Sequence, residues 1–340
     1  MDKKIAVLGV GAIGGSVGAD LIEGGYDITL IDQWPAHIEA MKANGLRVVM
    51  PDREVQVAVR ACHLCDVCTL NHEFDIVLLS CKSYDSCWMA ELIKPYLKAD
   101  GVLVSVQNSL NDEWISPIIG SDRDVGCVVE LSAEIFTPGL IQRNTPRAGT
   151  WFGLGELDGS MTPRLRALEQ MMSSAGTVSV TANIWGAKWS KLINSTMIMP
   201  LTGVLGLNSC EAADREVFDF CLKLGRESMA VARALGYDPE AIMGLTAQDA
   251  AGPVDAVLEK NIRKIISVVG KKGRGVILQD YLKGRRMETE HFNGVVVNKG
   301  RQANVATPAN AAIVEISGRI RQGQLKPQRS NLELVASMLR

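Results

Sequence analysis

The apolar run Ile5-Ala6-Val7-Leu8 gives way at once to Gly9-Val10-Gly11-Ala12-Ile13-Gly14, and Ser16 to Glu23 follow with helical spacing. No other stretch narrows the possible folds as far. A buried strand, a glycine turn and a helix opening directly from that turn make the start of a βα unit. The first glycine permits the tight turn, the second lets the backbone approach a pyrophosphate, and the third lets helix and strand pack closely. The helix N-terminus adds unpaired N–H groups and the positive end of its dipole. Gly9, Gly11, Ala12, Ile13 and Gly14 are therefore expected to cradle the phosphates of a dinucleotide. Lys3 and Lys4 ahead of the apolar run mimic the start of a secretory signal, but the glycines and the polar residues beyond them fit a strand and turn.

The next strand, Asp27 to Ile31, ends at Asp32, roughly 20 residues past the glycines, which is the spacing of a carboxylate that bonds the adenosine ribose. A carboxylate there repels a 2′-phosphate, and the neighbours Gln33 and Trp34 bring no positive charge. NAD(H) is accordingly expected over NADP(H). The competing reading of Asp32 is a cap for the helix that begins near Pro35.

Strand and helix patterns alternate through the first half. Pro35 to Asn44 and Met89 to Leu97 read as helices, Val55, Val57 and Val59 alternate with polar residues, and Asp75 to Ser80 and Gly101 to Val106 are continuous apolar runs. Thr162-Pro163 starts a further helix, and Thr177 to Thr181 forms a last short strand. Such alternation implies right-handed crossovers and a mainly parallel sheet. Beyond about Asn183 helical spacing takes over: Trp185 to Leu205, Glu216 to Leu235, Asp255 to Val269, Leu282 to Ala303 and Pro308 to Arg321. The expected architecture is an α/β Rossmann-type dinucleotide-binding domain over residues 1–183. An all-α domain over 184–340, serving substrate and dimerisation, follows it.

With 36 basic against 38 acidic residues the net charge is −2, which leaves no electrostatic footprint for nucleic acid or an anionic membrane. Aromatic residues at 5% offer no base-stacking platform, and no apolar run approaches the roughly 20 residues of a membrane span. Eight cysteines scattered among apparent core strands are expected to be reduced thiols in the cytosol. Cys62, Cys65 and Cys68 have a spacing known from iron–sulfur ligation. The usual fourth cysteine and proline do not follow, and His63 and His72 give only a loose zinc alternative, so no metal is expected.

A dinucleotide fold does not define a reaction. The second half carries Trp189-Ser190-Lys191-Leu192 with Pro200-Leu201-Thr202. It then carries Leu278-Gln279-Asp280, Glu288, Asn293-Gly294 and Thr307-Pro308-Ala309-Asn310. The first half adds Cys81-Lys82-Ser83-Tyr84, Gln107-Asn108 and Pro138-Gly139. In this order, from residue 5 to about 322, these motifs resemble the ketopantoate reductase (2-dehydropantoate 2-reductase) family. The resemblance implies hydride transfer between a nicotinamide and a 2-oxo acid/2-hydroxy acid pair. It makes Lys191 the general acid that protonates the carbonyl oxygen, where negative charge builds. It makes Glu288 the carboxylate that orients the lysine or binds a substrate hydroxyl, and places Asn108 beside nicotinamide and substrate and Lys82 near the cofactor. Asn194 and Ser195 join Lys191, Glu288 and Asn108 as expected substrate contacts. Without the resemblance, Lys191 reads as a solvated helix charge and Glu288 as a surface ion-pair partner.

Several positions depart from the family pattern. Ser195 stands where the family has asparagine, with Asn194 one position earlier; Met199 replaces a second asparagine, Val276 a serine, and Ser109 the glycine after Gln-Asn. Losing an amide and a hydroxyl removes hydrogen bonds that discriminate a polar substrate. The expected substrate is thus a different 2-oxo or hydroxy acid, less polar or bulkier than ketopantoate. Glu130 and Glu134 flank the strand expected to approach the nicotinamide and read as a solvated strand edge, the alternative being that they face a cationic group of the substrate. Two other functions remain open, a β-hydroxyacid or opine-type dehydrogenase and a non-catalytic NAD(H)-sensing module, and Lys191 together with Glu288 argues against the sensor. The substrate is expected in a cleft between the halves, in a cytoplasmic protein that forms a homodimer.

Overall fold

The first strand, β1 (Lys4–Leu8), is buried from Ile5 onward, as a strand must be when both faces of its sheet are covered. Its alternate residues serve opposite sides. Ile5 and Val7 join a core with Val17, Leu21, Leu165 and Leu168, while Ala6 and Leu8 join one with Met89, Ile93, Ile115 and Ile119. The computed structural model describes residues 3–269 and 273–339. It divides into two units, Met1–Ile184 and Trp185–Arg340.

After β1 the first unit runs α1 (Ala12–Glu23), β2 (Asp27–Asp32), α2 (Pro35–Asn44), β3 (Leu46–Val49), β4 (Glu54–Val57), β5 (Arg60–His63) and β6 (Phe74–Leu79). It continues with α3 (Ser86–Ile93), β7 (Leu97–Val106), α4 (Asp112–Ile119), β8 (Asp124–Glu130), β9 (Ala133–Thr137), β10 (Leu140–Arg143), β11 (Trp151–Glu156), α5 (Pro163–Met172) and β12 (Thr177–Val180). Eight strands form one sheet in the order β12-β11-β8-β7-β6-β1-β2-β5. All neighbours are parallel except β11 and β8. The strand order reverses between β1 and β6, which leaves a crevice at their carboxyl ends. The helix expected to reach Leu97 stops at Ile93, because Pro95 cannot continue it and Leu97 already opens β7.

A second sheet, β4-β3-β10-β9, has no counterpart in the sequence reading beyond the alternating valines of β4. It lies on α1. A Cβ at Gly15 would strike Ile141 of β10 and come within 3.6 Å of Leu46 of β3, so this glycine lets the sheet close on the helix. Arg143, fully buried at the end of β10, holds the same layer together. Its guanidinium donates to Asp20 of α1 at 2.5 Å, to Thr150 Oγ1 at 2.8 Å and to the Ala175 carbonyl at 3.2 Å. Such a buried charge is tolerable only when it is paired and hydrogen-bonded in this way.

The second unit is helical, with no strand among the described residues: α6 (Ile184–Leu205), α7 (Arg215–Ala234), α8 (Ala247–Ala250), α9 (Val254–Val269), α10 (Val276–Leu282), α11 (Asn293–Ala303), α12 (Pro308–Arg321) and α13 (Asn331–Ser337). The single helix expected from Leu282 to Ala303 is corrected to the end of one helix and the whole of another. Gly284, at φ +64°, turns the chain after α10, with Arg285 N–H on the Asp280 carbonyl at 2.8 Å and Gly284 N–H on that of Tyr281 at 3.0 Å. That double closure is a Schellman stop. Among the described residues no helix is long and apolar enough to cross a membrane.

Candidate functional site

The glycine loop after β1 has the geometry its spacing implies. Gly9 sits at φ +93° so close to the chain leaving β6 that a Cβ would lie 2.5 Å from the Cys81 nitrogen. A Cβ at Gly14 would collide with the Gly9 carbonyl oxygen and crowd Val7 at 3.2 Å, so this glycine lets α1 lie on β1. At Gly11 a Cβ would meet nothing within 4 Å. That open side is the cradle a pyrophosphate needs. The first turn of α1 carries no acidic residue and no side-chain cap. The first intrahelical bond, Gly15 N–H to Gly11 carbonyl, leaves the N–H groups of Ala12, Ile13 and Gly14 ahead of the ladder. These residues fit a dinucleotide diphosphate.

Asp32, buried at the end of β2, accepts from Val10 N–H at 2.6 Å through Oδ2 and from Trp34 N–H at 2.8 Å through Oδ1. Its side chain therefore faces the glycine loop, while Trp34 occupies the cap position of α2. Each carboxylate oxygen keeps acceptor capacity for a ribose hydroxyl. Beside it, Gln33 Nε2 donates to Asp85 Oδ2 at 3.0 Å and Trp88 Nε1 to Asp85 Oδ1 at 2.8 Å, which fixes a second carboxylate near the same strand end. Asp85 was absent from the sequence reading, and so was His37, which bonds the Val10 carbonyl.

Lys82 follows β6 and Asn108 follows β7, both half-buried. The strand ends are tied by Gln107, whose Nε2 donates to the Cys81 carbonyl and to Ser86 Oγ, each at 2.8 Å. Ser109 holds φ +76°, a left-handed conformation that costs a non-glycine residue about 1 kcal/mol. Glu130 ends β8 opposite Trp151, whereas Glu134 belongs to β9 of the second sheet, opposite Gln142. Cys62 lies on β5 with its thiol pushed up by burial, and Cys65 and Cys68 are exposed on the turn that follows. No group of three or more His, Cys, Asp or Glu among the described residues is arranged to hold a metal.

In the second unit Lys191 is 6% exposed and Glu288 5%. Asn194 and Ser195, three and four positions along α6 from the lysine, are its neighbours on the helix surface and are buried as well. Asn194 Oδ1 and Ser195 Oγ find no hydrogen-bond partner among the described residues, while Asn194 Nδ2 faces Met243 Sδ at 3.7 Å. Buried polar atoms left unsatisfied are uncommon, and Trp189 Nε1 and Asn293 Oδ1 in the same unit share this state. Four residues beyond Ser195 the helix presents Met199, half-buried, and the start of α10 closes on it. A Cβ at Gly275 would stand 3.3 Å from Met199 Cα, and half-buried Val276 comes next.

Pro200 lies inside α6 and has no N–H for the Thr196 carbonyl. Asn293 fills the gap, its Nδ2 donating to the Thr196 carbonyl at 3.3 Å and to Asn310 Oδ1 at 2.8 Å. Asn310 is fixed in turn by Glu227, whose carboxylate accepts from Ala309 N–H at 2.8 Å, Asn310 N–H at 3.0 Å and Asn310 Nδ2 at 2.8 Å. Three separated motifs thus converge to brace the helix that carries Lys191. Glu227, which anchors them, went unnoticed in the sequence because its partners lie more than 80 positions away.

Over residues 5–156 the chain matches the family model for ketopantoate reductase PanE/ApbA, and over 183–321 that for the ketopantoate reductase PanE/ApbA C terminal. A 2-dehydropantoate 2-reductase of Mesorhizobium japonicum is 26% identical, covering 93% of this chain and 97% of that protein. One of Archaeoglobus fulgidus is 25% identical, covering 94% and 99%. The crystal structure of a PanE/ApbA family ketopantoate reductase from Ralstonia eutropha superposes with a TM-score of 0.78 at 26% identity, covering 94% of this chain and 99% of that one. D-mandelate dehydrogenase bound to NADH and anilino(oxo)acetate superposes with a TM-score of 0.81 over the same shares, 94% and 99%. At 19% identity this is a likeness of fold.

Two outcomes follow from the helical unit. Asn293→Ala strands the Thr196 carbonyl and Asn310 Oδ1, so it should lower the unfolding free energy by about 2 kcal/mol in denaturant titration; a loss below about 0.5 kcal/mol would contradict the bracing role. Burial pushes the His291 imidazole below its ordinary 6.5, against an opposing pull from Glu288. The unfolded chain then binds the extra proton first. Stability is fully present above pH 6.5 and declines as pH falls from there toward the lowered folded value. His72 is lowered in the same sense. His291→Gln should therefore flatten part, not all, of the fall in melting temperature between neutral and mildly acidic pH, and an unchanged slope would refute the assignment.

Proposed function

The chain belongs to the ketopantoate reductase family, and from that premise we propose that it interconverts a 2-oxo acid less polar than ketopantoate with its 2-hydroxy acid, using NAD(H). It is an NAD(P)-dependent oxidoreductase acting on a C=O/CH–OH pair. The observation that carries the catalytic reading is the buried set on α6, where Lys191 is flanked by the unsatisfied Asn194 Oδ1 and Ser195 Oγ. A surface lysine has no such company.

When bound, a reduced nicotinamide supplies the hydride that the carbonyl carbon receives. Lys191 holds a proton at Nζ and gives it to the carbonyl oxygen, where the negative charge develops, so that C=O becomes CH–OH. Glu288 orients the ammonium group or accepts a hydrogen bond from the substrate hydroxyl, and Asn194 and Ser195 bond the polar groups of the acid. Asn108 serves substrate and nicotinamide, Lys82 the cofactor, and Gly9, Gly11, Ala12, Ile13 and Gly14 the diphosphate. The ribose falls to Asp32. With Asp85 fixed close by and no lysine or arginine at Gln33 or Trp34, this surface favours a free 2′-hydroxyl over a 2′-phosphate.

Met199 and Val276, half-buried beside Gly275, supply an apolar wall that prefers a hydrocarbon substituent to a hydroxyl. The D-mandelate dehydrogenase complex holds an acid with an aryl substituent, so a fold of this kind admits a bulky apolar acid. A cytoplasmic homodimer completes the proposal, on the frequency of twofold assemblies and on eight free thiols.

Oxidation of NADH against a panel of 2-oxo acids tests this reading. A branched or aryl 2-oxo acid should exceed ketopantoate in kcat/KM by about tenfold or more. Lys191→Ala should lose about 10²- to 10⁴-fold in kcat while still binding NADH. If ketopantoate proves the best substrate the specificity reading is wrong, and a Lys191→Ala enzyme of near-normal kcat removes the lysine from the chemistry.

A further inference from the structure

Val10, the residue between the first two loop glycines, is buried and gripped on both sides of its backbone. Its N–H donates to Asp32 Oδ2 at 2.6 Å, and its carbonyl oxygen lies 2.9 Å from His37 Nε2. The other ring nitrogen settles which proton is where. Gly139 N–H donates to His37 Nδ1 at 2.9 Å, so Nδ1 presents a lone pair and Nε2 must carry the hydrogen that goes to Val10. The imidazole is fully buried, with the Trp34 indole stacked on it at 5.4 Å between ring centroids. Gly139 reaches it from the turn between β9 and β10. It does so at φ +74°, where a Cβ would come 3.1 Å from that of Ala40. The imidazole thus joins the second sheet to the phosphate cradle.

We propose that His37 is a positioning residue for the cofactor, acting through the Val10 carbonyl. By fixing that peptide it presets the turn from Gly9 to Gly11. The open face above Gly11 and the first N–H groups of α1 then stand ready before a dinucleotide arrives, and binding does not have to order the loop. The assignment rests on the dinucleotide reading of the loop. It gives the Pro138-Gly139 turn a task as well, that of holding the imidazole in one tautomer.

Two substitutions separate the halves of the bridge. A glutamine amide nitrogen stands where Nε2 does, so His37→Gln keeps the donor for Val10 and loses the acceptor for Gly139. An asparagine amide stands at the Nδ1 position, so His37→Asn keeps the Gly139 contact and loses Val10. Both should melt at similarly reduced temperatures. In calorimetric titration of the full chain with NADH, His37→Gln should stay within about threefold of wild type, while His37→Asn weakens by about tenfold at unchanged saturated kcat. Equal affinities in the two variants, or a weaker His37→Gln, overturn the proposal. A wild-type protein that binds neither NADH nor NADPH overturns the dinucleotide reading along with it. Nitrogen-15 NMR of the unmodified protein gives a result independent of either variant's folding. It should show a protonated Nε2 and a bare Nδ1 at His37, and the opposite tautomer refutes the assignment.

Discussion

The hydrogen bond from Val10 N–H to the Asp32 carboxylate, at 2.6 Å, is the contact on which the nucleotide half depends. It fastens the loop leaving β1 to the end of β2, two adjacent parallel strands beside the point where the strand order reverses. A bond to a carboxylate is about twice as strong as a neutral one, and here it is sheltered from water. The group that shapes the loop is also the one proposed to meet the ribose. On that proposal, geometry and selectivity cannot be altered independently at this position, because one side chain supplies both.

The helical unit solves a related problem with neutral groups. A proline inside α6 would leave the Thr196 carbonyl stranded in the core, at a cost of about 1–3 kcal/mol. Asn293, Asn310 and Glu227 absorb it by a chain of hydrogen bonds that runs from α6 to α7 by way of α11 and α12. Asn194 Oδ1 and Ser195 Oγ, on the same helix as Lys191, are buried with no hydrogen-bond partner among the described residues, as are Trp189 Nε1 and Asn293 Oδ1.

Much of this was legible in the sequence, wherever the determinant is local. The glycine spacing, Asp32, the Pro-initiated helices α2 and α12 and the change to helical spacing near residue 183 all depend on residues within a turn or two of one another. What escaped depends on partners far along the chain. His37 meets Gly139 across 102 positions and Arg143 meets Asp20 across 123. The second sheet is made of strands of four or five residues, and only β4, with its alternating valines, carries a periodic signal. The continuous helix read through Gly284 was a different error: the left-handed turn was written in the sequence, and apolar spacing on either side overrode it. Asn293 and Asn310 were visible as motif residues, yet only their contacts identify them as braces for α6.

Cofactor choice turns on whether the ribose end of the cradle is built for a free 2′-hydroxyl. Calorimetric titration of the intact chain with NADH and with NADPH, at one ionic strength, measures this directly. Two carboxylates facing a phosphate in partly screened surroundings should separate the two dissociation constants by about tenfold or more in favour of NADH. Equal affinities, or tighter binding of NADPH, would contradict the role given to Asp32 and Asp85.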